Sequence, residues 1–192
     1  MILLIADTII GLCLFALFLS IMINFIMGAD RKVRTEKKSI VETGTMTLFF
    51  LGFYLLIRFR IGEIPITIPK IRYILLFPGL PMIVSGCVIN ISGRFNLGSN
   101  WSNQIKIYNN QTLVQKGWYG IVRHPLYASL MLMYYGSCLV YPNYLAFLAN
   151  SFVFIPFMYF RAKQEEILLS QTFEDYEQYK KEVGMFFPKI IK

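Results

Sequence analysis

Arg161 and Glu165 stand four residues apart at the end of a long apolar run, and Glu166 follows directly. At that spacing a guanidinium and a carboxylate share one helix face. Such a pair serves either as an anchor on a solvated turn outside a membrane or, if it faces a helix bundle, as a binding site. The acids are conspicuous, because no Asp or Glu occurs between Glu63 and Glu165. A second concentration of chemistry is "GWYGIVRHPLYASL", Gly117 to Leu130, which holds His124, the only histidine. Pro125 suits the first turn of a helix, where its missing N–H costs nothing. His124 then sits at a helix N-terminal edge, where free N–H groups and the helix dipole favour an anion. Trp118, Tyr119 and Tyr127 add rings and hydroxyls. The same residues would equally make an interfacial aromatic belt with a snorkelling Arg123, and composition leaves both readings open.

The elements that must position these groups are membrane spans. The chain is 56% hydrophobic with mean hydropathy +0.52, well beyond a soluble domain of 192 residues. Apolar runs cover about Ile2–Met27, Ile40–Ile57 and Tyr73–Ile91, the last with Pro78 and Pro81 and an expected kink. Two shorter runs, Pro125–Val140 and Tyr144–Phe160, flank the turn signal "YPNY". Each helix of about 16 residues would rise only about 24 Å, so they read as a tight helical hairpin. Leu169, Phe173, Tyr176, Tyr179 and Val183 recur at helical steps and predict an amphipathic C-terminal helix. "TFED" at Thr172 resembles a capping box that would break and restart it, and Gly184 would end it. The fold class is therefore an all-α integral membrane protein of about five transmembrane helices. Residues 1–92 carry spans one to three. Residues 93–192 carry a loop, the hairpin and the tail.

Charge orients the bundle. Net charge is +8, and the basic residues cluster between apolar runs, which points to membrane orientation and headgroups and away from nucleic acid. "GADRKVRTEKK" after the first span holds five basic and two acidic residues, and Ser92–His124 holds Arg94, Lys106, Lys116 and Arg123 with no acid. Both are expected on the cytoplasmic side, with the N-terminus outside, the tail inside and no cleavable leader. The loop with Arg58, Arg60, Lys70 and Arg72 against Glu63 disagrees, since this topology puts it outside. The hairpin starts at His124 and ends at Arg161, so both concentrations of chemistry meet at one interface. A pocket there would suit a ligand with an aromatic base and mixed charge.

Several chemistries lack their residues. There is no G-x-G for a nucleotide loop, and one His with Cys13, Cys87 and Cys138 scattered in apolar runs gives no ordinary zinc site. No nucleophile motif accompanies His124. The glycosylation-like triplets at Asn90, Asn100 and Asn110 fall at the membrane or its inner side.

The motifs "LVQKGWYGIVRHPLY", "RAKQEEILLSQTFEDYEQY" and "FFPK", with "LGSNWSNQ" upstream, resemble the isoprenylcysteine carboxyl methyltransferase family, most of all its short five-span archaeal and bacterial members. The likeness covers roughly Leu97 to Lys189. It implies an S-adenosylmethionine-dependent membrane methyltransferase acting at the cytoplasmic face on a lipophilic, prenylcysteine-like carboxylate. By the same resemblance Gln104, Gln111, Thr112, Leu113, Val114, Tyr119, His124, Pro125, Leu126 and Tyr127 line the cofactor pocket, and Glu165 closes it. Arg161 holds the acceptor's carboxylate, so Arg161 and Glu165 are the expected catalytic pair. The residues supply reasons: a sulfonium and an amino group want a carboxylate, and Glu165 is the first after a long gap. A planar guanidinium suits a bidentate carboxylate. The expected partners are the bilayer and a lipophilic methyl acceptor, with no nucleic acid and no metal. Ser129 and Glu174 stand where the pattern has Gly, and Met185 where it often has Arg. Other readings are a lipid amine or thiol methyltransferase, or an NADPH-dependent enzyme like the sterol reductases, which share an R-H-P-x-Y motif. An amine would need a base that the chain scarcely offers. Reductases often carry an acid soon after that motif, where this chain has Ala128 and Ser129.

Overall fold

The computed structural model describes residues 2–28, 32–37, 43–102 and 104–189. It is mostly helical. Helix α1 spans Ile2–Gly28, α2 Thr43–Arg58, α3 Pro69–Leu97 and α4 Pro125–Val140. Helix α5, Tyr144–Ala149, passes through a π-helical turn at Asn150–Phe154 into α6, Ile155–Thr172, and α7 covers Tyr176–Glu182. Among the described residues three stretches are long and apolar enough to cross a membrane: Ile2–Ile26, Pro69–Asn100 and Tyr144–Thr172. Thr45–Arg58 and Pro125–Val140 are shorter apolar helices.

Consecutive helices alternate in direction. At one end Tyr141 Oη donates to Asp7 (2.5 Å), and Glu63 forms a bridge with Asn143. At the other, Phe25 meets Trp101 edge-on with ring centroids 5.3 Å apart. The strand β1, Val33–Lys37, pairs there antiparallel with β2, Ile105–Tyr108. The N–H groups of Arg123 and His124 donate to the carbonyls of Gly184 and Met185 (2.8 and 3.0 Å). The described part of the first basic loop, the second basic loop and the tail thus share one end, as their charge suggests. The loop after α2 joins the "YPNY" turn at the other, so its basic residues sit where alternation requires and charge alone does not. Positions 29–31 and 38–42 of the first loop lie outside the described residues.

The centre of the bundle is the α3–α4 seam. Gly79, Gly86 and Gly93 recur every seven residues along α3. A Cβ on Gly79 would come within 2.9 Å of Gly136 O, and one on Gly86 within 2.5 Å of Met133 Cγ and 2.8 Å of Ser129 O. Small residues let backbones approach where lipid leaves helices little hydrophobic reason to associate. Asn90 Nδ2 donates across the seam to Ser129 Oγ (2.8 Å) and Leu126 O (3.2 Å). Aromatic side chains bind the other half: Phe49, Phe53, Tyr134 and Phe154 pack with centroids 4.3–6.2 Å apart.

Three expectations are corrected. The third span starts at Pro69, runs through Pro78 and Pro81, and continues past Ile91 to Leu97, because Asn90 and Arg94 face protein instead of lipid. The second arm of the hairpin is not a short helix ending at Phe160. Tyr144 to Thr172 is one helical stretch of 29 residues that carries Arg161, Glu165 and Leu169. "TFED" does break the helix, but no capping box forms. Thr172 Oγ1 donates back to Leu168 O (2.8 Å), and α7 starts without a side-chain cap. The helix does end at Gly184, which follows the C-cap Val183 and makes a close approach to Phe187 that a Cβ would block at 1.9 Å from its carbonyl oxygen.

Candidate active site

At the strand-bearing end lies a cavity of about 440 Å³. Helix α4 begins late, opposite Gly93 of α3, so the polar segment 98–124 caps the bundle over its first turn. Gly117 makes this possible. With φ 62° it turns the chain onto α3, where Trp118 N donates to Asn96 Oδ1 (3.1 Å) and Trp118 Nε1 to Ser92 Oγ (2.6 Å). Asn96 Oδ1 lies 2.3 Å from where a Cβ would stand, so only glycine fits. Strand β2 seals the side, with Ile105 and Ile107 buried against Leu168.

Of the expected site residues, Gln104, Gln111, Thr112, Leu113, Val114, Tyr119, His124, Leu126, Tyr127, Arg161 and Glu165 all line this cavity. Pro125 does not. It is fully buried beside Gly93 and shapes the start of α4. The walls differ in character. Ile21, Phe25, Met46 and Phe50 of α1 and α2 are apolar, and the opposite side carries the charged and hydroxyl groups.

Those charged groups form one network. Arg161 Nε donates to Tyr127 Oη (2.8 Å) and Glu165 Oε1 (3.3 Å), and Tyr127 Oη donates to the same carboxylate. His124 lies between two carboxylates, with Nδ1 3.6 Å from Glu165 Oε2 and Nε2 3.3 Å from Glu166 Oε1. Its ring stacks on Tyr127 at 5.6 Å and 9°. Burial disfavours the imidazolium, but hydrogen bonds and charge from Glu165 and Glu166 outweigh it and hold the His124 pKa above its ordinary value. Burial pushes the Tyr119 phenol well up, so it stays a hydrogen-bond donor. The arrangement can hold mixed charge and aromatic rings. His124, saturated by carboxylates, is poorly placed to act as a base.

Sequence reasoning passed over three features. Arg123 grips Glu166 with Nε and Nη2 (2.9 and 2.7 Å), and its Nη1 donates to the carbonyls of Val183 and Lys180. Tyr176 and Tyr179 of the tail line the cavity, and Tyr179 Oη donates to Tyr119 O (2.5 Å). Arg94 reaches it from α3. The signal available was charge: Arg94 is the first cation after Arg72 and stands seven residues before Trp101, and Glu166 is a second acid after a long gap.

Comparison with known proteins agrees with this picture. The family model described as "Isoprenylcysteine carboxyl methyltransferase (ICMT) family" matches residues 79–171, from the α3–α4 seam to the end of α6. Two curated rice proteins, from Oryza sativa subsp. indica and subsp. japonica, are each described as a probable protein-S-isoprenylcysteine O-methyltransferase. Each is 29% identical over 117 residues, which is 59% of this chain and 61% of theirs. A solved structure of the eukaryotic intramembrane Ras methyltransferase ICMT shares the fold at TM-score 0.61 and 24% identity, covering 79% of this chain and 55% of that one. The chain thus spans less than two thirds of these relatives' length. Residues 79–171, just under half of the chain, are thus similar to the isoprenylcysteine carboxyl methyltransferase family.

Proposed function

We propose that this chain is an S-adenosylmethionine-dependent membrane methyltransferase that esterifies the carboxylate of a lipophilic, prenylcysteine-like acceptor at the cytoplasmic face. The observation that carries this reading is the two-sided cavity. One wall carries the Arg161–Glu165–Tyr127–His124 network, and the other is made mostly of apolar side chains from α1 and α2, with Thr47 among them. A water-soluble donor and a lipid-soluble acceptor need such a meeting place. The cytoplasmic orientation rests on the basic residues gathered at that end.

The residues present fit the donor. A cavity of about 440 Å³ lies within the usual range for a ligand of this size. Glu165 supplies a carboxylate for a cationic centre, Tyr119 and Tyr127 supply rings, and the Gln111–Val114 segment supplies backbone polar groups beside apolar side chains. When bound, S-adenosylmethionine supplies an electrophilic methyl carbon. A carboxylate acceptor is already ionised near neutral pH, so the protein has no proton to remove. Arg161 orients that carboxylate, and its own plane is fixed by Tyr127 and Glu165 at Nε. The caps formed by segment 98–124 and the tail keep water from competing. Most of the rate then comes from holding nucleophile and methyl carbon at near-attack distance, about 3–3.5 Å. An amine acceptor finds no free base here, since His124 is engaged by two carboxylates.

Calorimetric titration of the detergent-purified protein with S-adenosylmethionine and with NADPH tests the donor, and methyl transfer to N-acetyl-S-farnesylcysteine tests the acceptor. Binding of the sulfonium nucleoside and ester formation are expected. Binding of NADPH alone would overturn the reading.

A further inference from the structure

Five cationic side chains line the cavity: Arg94, Lys106, Arg123, His124 and Arg161. Four have a carboxylate within the protein: Lys106 has Glu36, Arg123 has Glu166, His124 has both glutamates of α6, and Arg161 has Glu165. Of these five, Arg94 alone has no carboxylate partner among the described residues. Its Nη1 is buried and makes no hydrogen bond. A guanidinium held out of water without a counter-charge is costly unless something else supplies that charge. Yet Arg94 is carefully held. Nε donates to Asn90 Oδ1 (2.9 Å), and Asn90 is itself pinned to Ser129 and Leu126 of α4. The guanidinium lies over the Trp101 ring at 5.1 Å. Two contacts thus fix its plane, and the residue lines the cavity with one guanidinium nitrogen left unpartnered, which gives it the chemistry to receive a planar anion.

The position narrows the anion. Arg94 belongs to the last turn of α3, level with the start of α4, where Gly93 approaches Leu126. Helix-start N–H groups there favour the same charge. This is the loop-covered end of the cavity, whereas the apolar wall of α1 and α2 suits a lipid tail. We propose that Arg94 receives the α-carboxylate of the methyl donor, as a positioning residue whose plane Asn90 sets. The inference rests on the donor reading above and divides the two reactant carboxylates between two arginines: Arg94 for the donor and Arg161 for the acceptor.

The test is calorimetric titration with S-adenosylhomocysteine and with its decarboxylated analogue S-adenosyl-3-thiopropylamine, which differ only in the carboxylate. Wild-type protein is expected to prefer the former by roughly 10- to 100-fold, the scale of a charge-assisted contact. Arg94→Gln should erase the preference by weakening the carboxylate ligand alone. Arg94→Lys, which keeps charge and loses the fork, should retain part of it and serves if the Gln variant does not fold. An unchanged preference in Arg94→Gln, or equal weakening of both ligands, overturns the assignment. Unchanged affinity for S-adenosylhomocysteine with a raised KM for the farnesylated acceptor would overturn it in favour of the acceptor's carboxylate. Wild-type protein that binds neither nucleoside overturns the donor reading itself, and this inference with it.

Discussion

Glu165 and Glu166 are neighbours on one helix, and each meets an arginine, yet the two pairs do different work. Glu166 is 3% exposed and holds Arg123, itself 8% exposed, in a two-pronged contact. The same guanidinium reaches the carbonyls of Lys180 and Val183, so this pair ties α6, the start of α4 and the tail together. Glu165 is 23% exposed and shares Arg161 with Tyr127 at the cavity wall. One step along a helix turns a side chain by about 100°, enough to place one carboxylate in a structural clamp and the next in a site. Burial separates the two carboxylates: Glu166 is enclosed with Arg123, and Glu165 faces the cavity.

The largest effect expected from breaking this contrast is on stability. Glu166→Ala leaves Arg123 buried without its counter-charge, which costs about 3–5 kcal/mol. A large fall in thermal midpoint in detergent should follow, with faster proteolysis of the tail. Replacing both partners, Arg123→Met with Glu166→Leu, should recover much of the loss, because removing a buried pair costs far less than orphaning one member. If the single variant melts like wild type, the clamp is not structural.

The second effect is on function. Arg161→Ala should cut turnover by about 10²-fold or more while leaving donor affinity unchanged, since misplacing a reactant by about 1 Å costs that much. Glu165→Ala should weaken donor binding instead. Both should melt closer to wild type than Glu166→Ala, because Glu165 is partly exposed and Arg161 keeps Tyr127 Oη as a partner when the carboxylate is lost. Full activity of Arg161→Ala on every acceptor would remove its orienting role.

A third change tests the scaffold that carries both pairs. Gly86→Leu drives a side chain into Met133 and the Ser129 carbonyl and should cost about 1–3 kcal/mol or prevent assembly. Gly52, with open space around it, should accept Ala with little change. Equal tolerance at both sites, read from detergent melting curves, would mean that the seam is not tightly packed.

How much of this was legible beforehand follows from where each signal lives. Apolar runs are local, and they place the helices and the turn at "YPNY" well. The "RHPLY" stretch and the Arg161–Glu165 spacing are also local, and all of these residues but Pro125 line the cavity. The β1–β2 pair was not legible, because strands of five and four mixed residues join loops some seventy positions apart. Helix ends were misread where polar side chains continue a helix against protein: Asn90 and Arg94 past the third apolar run, and Arg161 to Thr172 past the last. Hydropathy measures affinity for lipid, so it stops where the helix leaves lipid and not where it ends. The partner of Glu166 lies forty-three positions away and cannot be read from helical spacing.

The smallest effect expected is a pH slope that couples the two pairs, because His124 touches Glu165 and Glu166 at once. Its folded pKa lies above the ordinary histidine value of about 6.5. The imidazolium's contribution to stability is therefore complete below that ordinary value and fades as pH rises through the higher folded one. Each unit of displacement corresponds to about 1.4 kcal/mol. Wild-type thermal midpoint should fall across this alkaline window, and His124→Gln should flatten that part of the profile while lowering the midpoint below it. Adding Glu166→Ala should shrink the His124-dependent slope more than adding Glu165→Ala, since Glu166 is the nearer and more buried partner. The reverse order would place the charge of His124 in the site, beside Glu165, and outside the clamp.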